Sequence, residues 1–287
     1  MKKIKLLLCL FMLTTLCGCS NSNKNESSKT LNAAMFWIST SLDPTNNYDG
    51  WVLSRIGVGE TLLKLNEKYE VEPYLAKSYE QIDDTTWKLT LKDSITFSNG
   101  KKVTGENVKS CLERAFEKNT RAIDYFDLNH VEAKGQDIYL YLNKSSGAIL
   151  NNLCEPLFTI YDASQSEEDI ANHPLCTGPF VVDDFVSEKT IDTSKNKKYY
   201  DGKAKLDHVH FSQVADSDAR VLALQSGEVD LANTIDYSSL KLFRNNKDYQ
   251  VLEVLGPRTN VIYMNNETTF LSDLTIRKAL SYSVNRK

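Results

Sequence analysis

The sequence predicts an α/β fold, and three stretches carry that prediction. From Trp87 to Leu91, apolar Trp87, Leu89 and Leu91 alternate with Lys88 and Thr90, the period of a half-buried strand. Between Thr104 and Phe116, residues Val108, Cys111, Leu112, Ala115 and Phe116 fall on one helical face. From Leu206 to Leu231, a strand pattern, a helix pattern and a second strand pattern follow one another.

The elements can be justified in order. The apolar run Ala33 to Ile38 reads as a strand. Leu62 to Val103 is β in character, with turn signals at Asp83-Asp84 and Asn99-Gly100 on either side of the alternating strand. Thr104 is placed as an N-cap, and Glu106 suits the positive end of the helix that follows. Val131 to Leu142 reads as a hairpin around Gly135, with Ile138, Leu140 and Leu142 on one face. A mixed α/β region begins at Thr177. In it, Leu206 to Phe211 is a strand, and Ser217 to Ser226 is a helix with Val221, Leu222 and Leu224 inside. Gly227 can end that helix in the left-handed conformation. Val229 to Leu231, Tyr249 to Leu255 and Val261 to Met264 read as further strands, and Leu274 to Val284 as a helix. Asn285-Arg286-Lys287 bring no closing element, so the sequence is expected to be the front part of a longer chain.

The start of the chain has its own logic. Lys2, Lys3 and Lys5 precede the apolar run Leu6 to Leu13, and Leu16, Cys17, Gly18 and Cys19 follow. This is the layout of a secretory signal, and the run is too short to span a bilayer, which takes about 20 residues. The Leu-x-Gly-Cys ending resembles the bacterial lipobox. That resemblance implies acylation of Cys19 and an anchor on the outer face of the cytoplasmic membrane, or in the periplasm. Ser20 to Thr30 is polar throughout and suits a flexible tether.

Charge narrows the partners. The signal holds three of the 34 basic residues and none of the 38 acidic ones, so the remainder carries 31 basic against 38 acidic groups. Nucleic-acid binding needs clustered Lys and Arg and is not expected. Beyond Cys19 there are three cysteines, Cys111, Cys154 and Cys176, an odd number that closes no disulfide framework; they fit buried small hydrophobes. The sequence holds no G-x-S-x-G elbow, no H-E-x-x-H and no P-loop, so no catalytic residues are assigned. His208 and His210 share a face of a predicted strand; a solvated face explains them better than a metal, and no metal ligands are assigned.

A series of local patterns runs through nearly all of the chain. It comprises Leu42-Asp43-Pro44, Gly59-Glu60-Thr61-Leu62-Leu63, Glu72-Pro73-Tyr74-Leu75-Ala76, Thr104-Gly105-Glu106-Asn107-Val108, Thr177-Gly178-Pro179-Phe180, Leu224-Gln225-Ser226-Gly227-Glu228-Val229-Asp230 and Ile276-Arg277-Lys278-Ala279-Leu280. In this order and spacing they resemble the peptide/nickel family (family 5) of extracytoplasmic solute-binding proteins of ABC importers. The segment Tyr48 to Thr61 resembles the nickel-type branch more than the generic peptide-binding one. The resemblance implies a type II periplasmic-binding-protein-like clamp of two lobes, lobe I nearly complete here and lobe II only begun. It implies no cofactor, a nickel chelate or short peptide as transported solute, and an ABC permease and ATPase as partners of a monomer.

A chelate or peptide needs Arg forks for carboxylates and aromatic walls for flat or apolar parts. Arg55, Arg258, Trp37, Tyr48 and Trp51 have that chemistry, and Thr177, Gly178 and Phe180 follow a loop that could line a cleft. Trp37 suits core as well as cleft, and Arg55 suits a surface ion pair as well as a ligand. The organisation expected is a signal over 1–19, a tether over 20–30, a lobe I core over 31–61 and 173–259, an inserted subdomain over 62–172, and the start of lobe II over 260–287. Capture rather than catalysis is the expected function. A generic oligopeptide receptor is the alternative, with a sensory lipoprotein or a secreted hydrolase behind it.

Overall fold

Thr30–Met35 forms β1, and alternate apolar residues turn Ala33 and Met35 into the core. The computed structural model describes residues 28–254, 256 and 261–285, so Cys19, the signal and Arg258 lie outside the described residues. Further strands are β2 (Leu63–Leu65), β3 (Val71–Pro73), β4 (Ala76–Gln81), β5 (Thr86–Leu91), β6 (Leu128–Lys134), β7 (Asp137–Leu142), β8 (Phe180–Val186), β9 (Thr190–Lys195), β10 (His208–Gln213) and β11 (Leu231–Ala232). The helices are α1 (Gly50–Arg55), α2 (Gly105–Lys118), α3 (Ala122–Tyr125), α4 (Ile149–Asn152), α5 (Glu167–Asn172), α6 (Ser217–Ser226) and α7 (Leu274–Ser283).

Among the described residues, those up to Ser239 form one compact unit and those from Leu240 onward a second. In the first unit, β1 lies between β10 and β11 and runs parallel to both, while β9 and β8 continue the sheet antiparallel, in the order β11-β1-β10-β9-β8. A separate antiparallel sheet has the order β4-β5-β7-β6, and β2 and β3 make a two-stranded ribbon. Thr104 caps α2: its hydroxyl accepts from the Asn107 amide, while the Asn107 side chain accepts from the Thr104 amide. The apolar face of α2 packs on β6 and β7, burying Val108, Cys111, Leu112 and Ala115. Gly227 ends α6 at φ +75°, the left-handed cap its position predicts.

Three element-level expectations are corrected. Leu222 was expected inside α6 but is 64% exposed, and Arg220 is buried instead. The Arg220 guanidinium donates to the carbonyls of Val214, Ala215, Asn233 and Thr234, so burying it satisfies four acceptors in the loops after β10 and β11. The stretches Tyr249 to Leu255 and Val261 to Met264 form no strand among the described residues. A strand needs a second edge to take its amides and carbonyls, and among the described residues no pairing involves these stretches.

Candidate functional site

The loop leading into α1 is built first. Asp43 is buried and receives a two-pronged fork from Arg114 on α2, at 2.8 and 2.6 Å. The same guanidinium donates to Thr45 Oγ1 at 2.7 Å, the Tyr161 hydroxyl at 2.8 Å and Glu167 at 2.5 Å. Burial works to raise the Asp43 carboxyl, but the bonds from Arg114 and Thr45 outweigh it and hold it below its ordinary value. Asn119, just past α2, donates to the carbonyls of Thr45 and Asn47, so the end of α2 clamps the turn that starts α1. Asp49 sits behind this turn; burial pushes its carboxyl up to about 6, while a bond from Asn46 works in the opposite direction.

α1 then presents an exposed face. Its first glycine is required by close approach: a Cβ on Gly50 would meet the Pro156 carbonyl oxygen at 2.3 Å. On the open side, the Arg121 guanidinium lies 3.7 Å from the centre of the Tyr48 ring, a cation–π stack. Arg121 also donates to the Asn47 carbonyl and the Tyr125 hydroxyl. Arg55 lies over Trp51 at 5.5 Å and Phe36 at 5.4 Å. The Trp51 indole N–H donates to Glu155 at 2.8 Å. Two guanidiniums, four exposed or half-exposed aromatic rings and one carboxylate therefore share this patch.

Beside the patch, and sharing Trp51 with it, lies a cavity of about 360 Å³ walled by Glu60, Lys64, Tyr74, Cys154 and Thr159. Glu60 is 2% exposed; its carboxylate accepts from Thr177 Oγ1 at 2.7 Å and the Tyr199 hydroxyl at 2.8 Å. Burial first, then the Glu60 charge, pushes the Tyr74, Tyr199 and Tyr200 hydroxyls up from their ordinary value. Burial pushes the Cys154 thiol up to about 11 and the Cys111 thiol up to about 12, which keeps both protonated and unreactive.

The residues proposed from sequence fall in different layers. Tyr48, Trp51 and Arg55 come together on the α1 face. Trp37 is half-buried and packs against the core. Thr177 is fully buried behind Glu60. Gly178 lies so close to the chain at Gly57 and Val58 that a Cβ would meet both carbonyl oxygens at 2.5 Å. Phe180 is half-buried, its ring against Gly57. Arg258 lies outside the described residues. Sequence reasoning did not single out Arg121, Glu155 or Lys64, which carry no spacing signal. Glu60 and Tyr74 stood inside quoted motifs, where their types were visible but their surroundings were not.

The arrangement is an exposed face of charged and aromatic groups beside a cavity on an α/β unit. The family model of bacterial extracellular solute-binding proteins, family 5 (Middle), matches residues 70–287, and the chain belongs to this family. The nickel-binding protein NikA of Staphylococcus aureus is 32% identical over 272 residues, covering 95% of this chain and 54% of that protein. The glutathione-binding protein GsiB of Escherichia coli O157:H7 is 27% identical over 78% of this chain and 46% of its own length. The solved structure of S. aureus NikA with Ni(L-His)2 matches with a TM-score of 0.72 at 33% identity, over 77% of this chain and 46% of that one. The nickel ABC transporter structure from Bacillus halodurans matches at 0.73 and 27% identity, over 90% and 54%. The fold is α/β and type II periplasmic-binding-protein-like, and the chain spans about half the length of the curated relatives it matches.

Proposed function

We propose that this chain captures a small carboxylate-bearing solute, a nickel chelate first and a short peptide second, for an ABC permease and ATPase. The observation that carries the reading is Arg121 on the open side of α1, its guanidinium stacked on Tyr48. A stacked guanidinium is held flat, which suits it to meet a carboxylate edge-on. The NikA relatives favour a nickel–amino-acid chelate, and GsiB favours a peptide. Residues 31–61 and 173–259 would form the core of lobe I, 62–172 a subdomain inserted in it, and 260–287 the start of lobe II. Thr177, Gly178 and Phe180 would set the wall behind the cleft, and Arg258 would meet solute between the lobes. Capture without catalysis, a monomeric state and a lipid on Cys19 complete the reading. No helix among the described residues is long and apolar enough to cross a membrane, so the anchor would be that lipid.

The test is a titration of the 287-residue chain with nickel–histidine, free nickel ion and a set of dipeptides, followed by NMR. The chelate should bind ahead of both. It should do so weakly, on the order of millimolar (about −4 kcal/mol), because one lobe leaves the solute half solvated. Dipeptides binding first would replace the chelate with the peptide reading. Binding of free nickel alone would overturn both.

A further inference from the structure

The acid on the α1 face is Glu155, which follows α4 and starts a single 3₁₀ turn at Pro156–Phe158. Its backbone is held in place, because the Pro156 carbonyl packs against Gly50 of α1 with no room for a Cβ between them. Its side chain makes no cap bond to the turn it starts, so the carboxylate is left for other partners. It accepts from the Trp51 indole N–H at 2.8 Å. It also acts on the Tyr125 hydroxyl, to which the Arg121 guanidinium donates at 2.7 Å. Burial first, then the Glu155 charge, pushes that hydroxyl up to about 12, while Arg121 works in the opposite direction. No Lys, Arg or His nitrogen comes within 4.0 Å of the Glu155 carboxylate among the described residues. Glu155 and Arg121 therefore act on one tyrosine hydroxyl without pairing with each other.

An acid in this place weakens the face for anions, since a solute carboxylate that meets Arg121 also meets a negative charge nearby. Holding Trp51 does not require that charge, because a neutral amide oxygen accepts an indole N–H as well. What the carboxylate adds is repulsion, and repulsion grows with the charge of the solute. We infer that Glu155 is a specificity-determining residue that sets the α1 face against solutes of high negative charge. The class it leaves is a chelate or peptide whose own charges cancel, and the class it disfavours is the polycarboxylates. The inference rests on the solute-capture reading and adds to it a limit on charge.

The experiment uses the 287-residue chain and two preformed complexes, nickel–bis-histidine, which is neutral overall, and nickel–EDTA, which is a dianion. Binding is followed by NMR at the Trp51 indole N–H. The parent should bind the neutral complex more tightly. Glu155→Gln keeps an acceptor for Trp51 and removes the charge, so it should shift the ratio of the two affinities toward nickel–EDTA by roughly fivefold. Glu155→Asp keeps the charge and draws it back from Trp51, so it should keep the parent's preference. In 1 M NaCl, where the Debye length falls to about 3 Å, the difference between Glu155→Gln and the parent should shrink. A parent that prefers nickel–EDTA, or a ratio unchanged in Glu155→Gln, would overturn the inference and leave the capture reading standing. Equal weakening of both complexes in Glu155→Gln and Glu155→Asp would make Glu155 a prop for Trp51 and overturn it likewise. Binding of neither complex to the parent would overturn the capture reading, and the inference with it.

Discussion

Arg114 and Arg121 flank the same loop, and both meet tyrosine, yet their surroundings differ in kind. Arg114 is matched by two carboxylates, Asp43 and Glu167, and is completed by Thr45 and Tyr161. Among the described residues Arg121 meets neutral groups: the Asn47 carbonyl, the Tyr125 hydroxyl and the Tyr48 ring. The first charge is used up inside the protein, and the second is oriented without being neutralised. A guanidinium with its charge matched holds structure, and one held flat without a carboxylate is ready for a ligand's.

The largest effect should come from Arg114→Ala. It would leave Asp43 buried with its cation removed, a loss of about 3–5 kcal/mol. Urea unfolding followed by circular dichroism measures it. Arg121→Ala should stay within about 1 kcal/mol of the parent, as exposed and half-exposed sites do. A reversed order would erase the distinction between the two arginines.

The same pair can be compared through binding. Arg121→Ala should weaken nickel–histidine by the loss of a charge-assisted hydrogen bond, about 1.5–3 kcal/mol or roughly ten- to a hundredfold. The 287-residue chain titrated by NMR gives the ratio. A change of less than threefold would place the solute elsewhere.

The pH dependence of stability sharpens the comparison from beneath. Asp49 is pushed up to about 6 from an ordinary value near 3.8, mainly by burial. A carboxyl raised on folding favours the fold fully below its unfolded value, and that contribution is lost as pH rises through 6. Asp43 has the opposite sign: its contribution is present above the unfolded value and is lost on acidification. Asp49→Asn should therefore gain stability at pH 7–8, by about 1 kcal/mol after allowance for solvent screening, and should steepen the loss below pH 5. Urea midpoints at pH 4, 6 and 8 decide it, and a variant weaker at pH 8 would sink the assignment.

How far the sequence was legible follows from which interactions are local. The Thr104 cap, the α2 stripe and the Gly227 stop depend on neighbours within a few residues, and each is where the pattern puts it. Leu222 was expected inside, but Arg220 takes the buried place because the loops after β10 and β11, as far as Thr234 14 residues away, supply the carbonyls that satisfy it. The apolar stretches at 249–255 and 261–264 carried a strand signal, but that signal measures fitness for a sheet and cannot supply a partner strand. Leu252, Ile262 and Tyr263 are 79%, 76% and 92% exposed, where buried Ala33 and Ala34 of β1 have strand neighbours on both sides. Arg121 and Glu155 were silent for a similar reason: they reach Tyr48 and Trp51 from the far ends of long chain separations. Tyr48, Trp51 and Arg55 were legible because one short helix and the turn that starts it display all three.

The smallest effect, and the finest test of the comparison, is expected from Tyr48→Ala. Tyr48 is 54% exposed, so its removal uncovers little core and forfeits a cation–π contact of about 0.5–1 kcal/mol. The stability change should be no larger than that. Binding should respond differently from Arg121→Ala, because the guanidinium remains and only its orientation is released. Arg121 would still donate to the Asn47 carbonyl and the Tyr125 hydroxyl, which limits its freedom. Nickel–histidine affinity should then fall by roughly two- to fivefold, within the same 0.5–1 kcal/mol. Tyr48→Phe should restore it, since the ring face rather than the hydroxyl meets the guanidinium. If Tyr48→Ala lost as much as Arg121→Ala, the ring itself would be touching solute, and the face would have two direct contacts where one contact and its support are expected. If Tyr48→Ala lost nothing, stacking would have no part in readying Arg121, and the contrast with Arg114 would rest on charge alone.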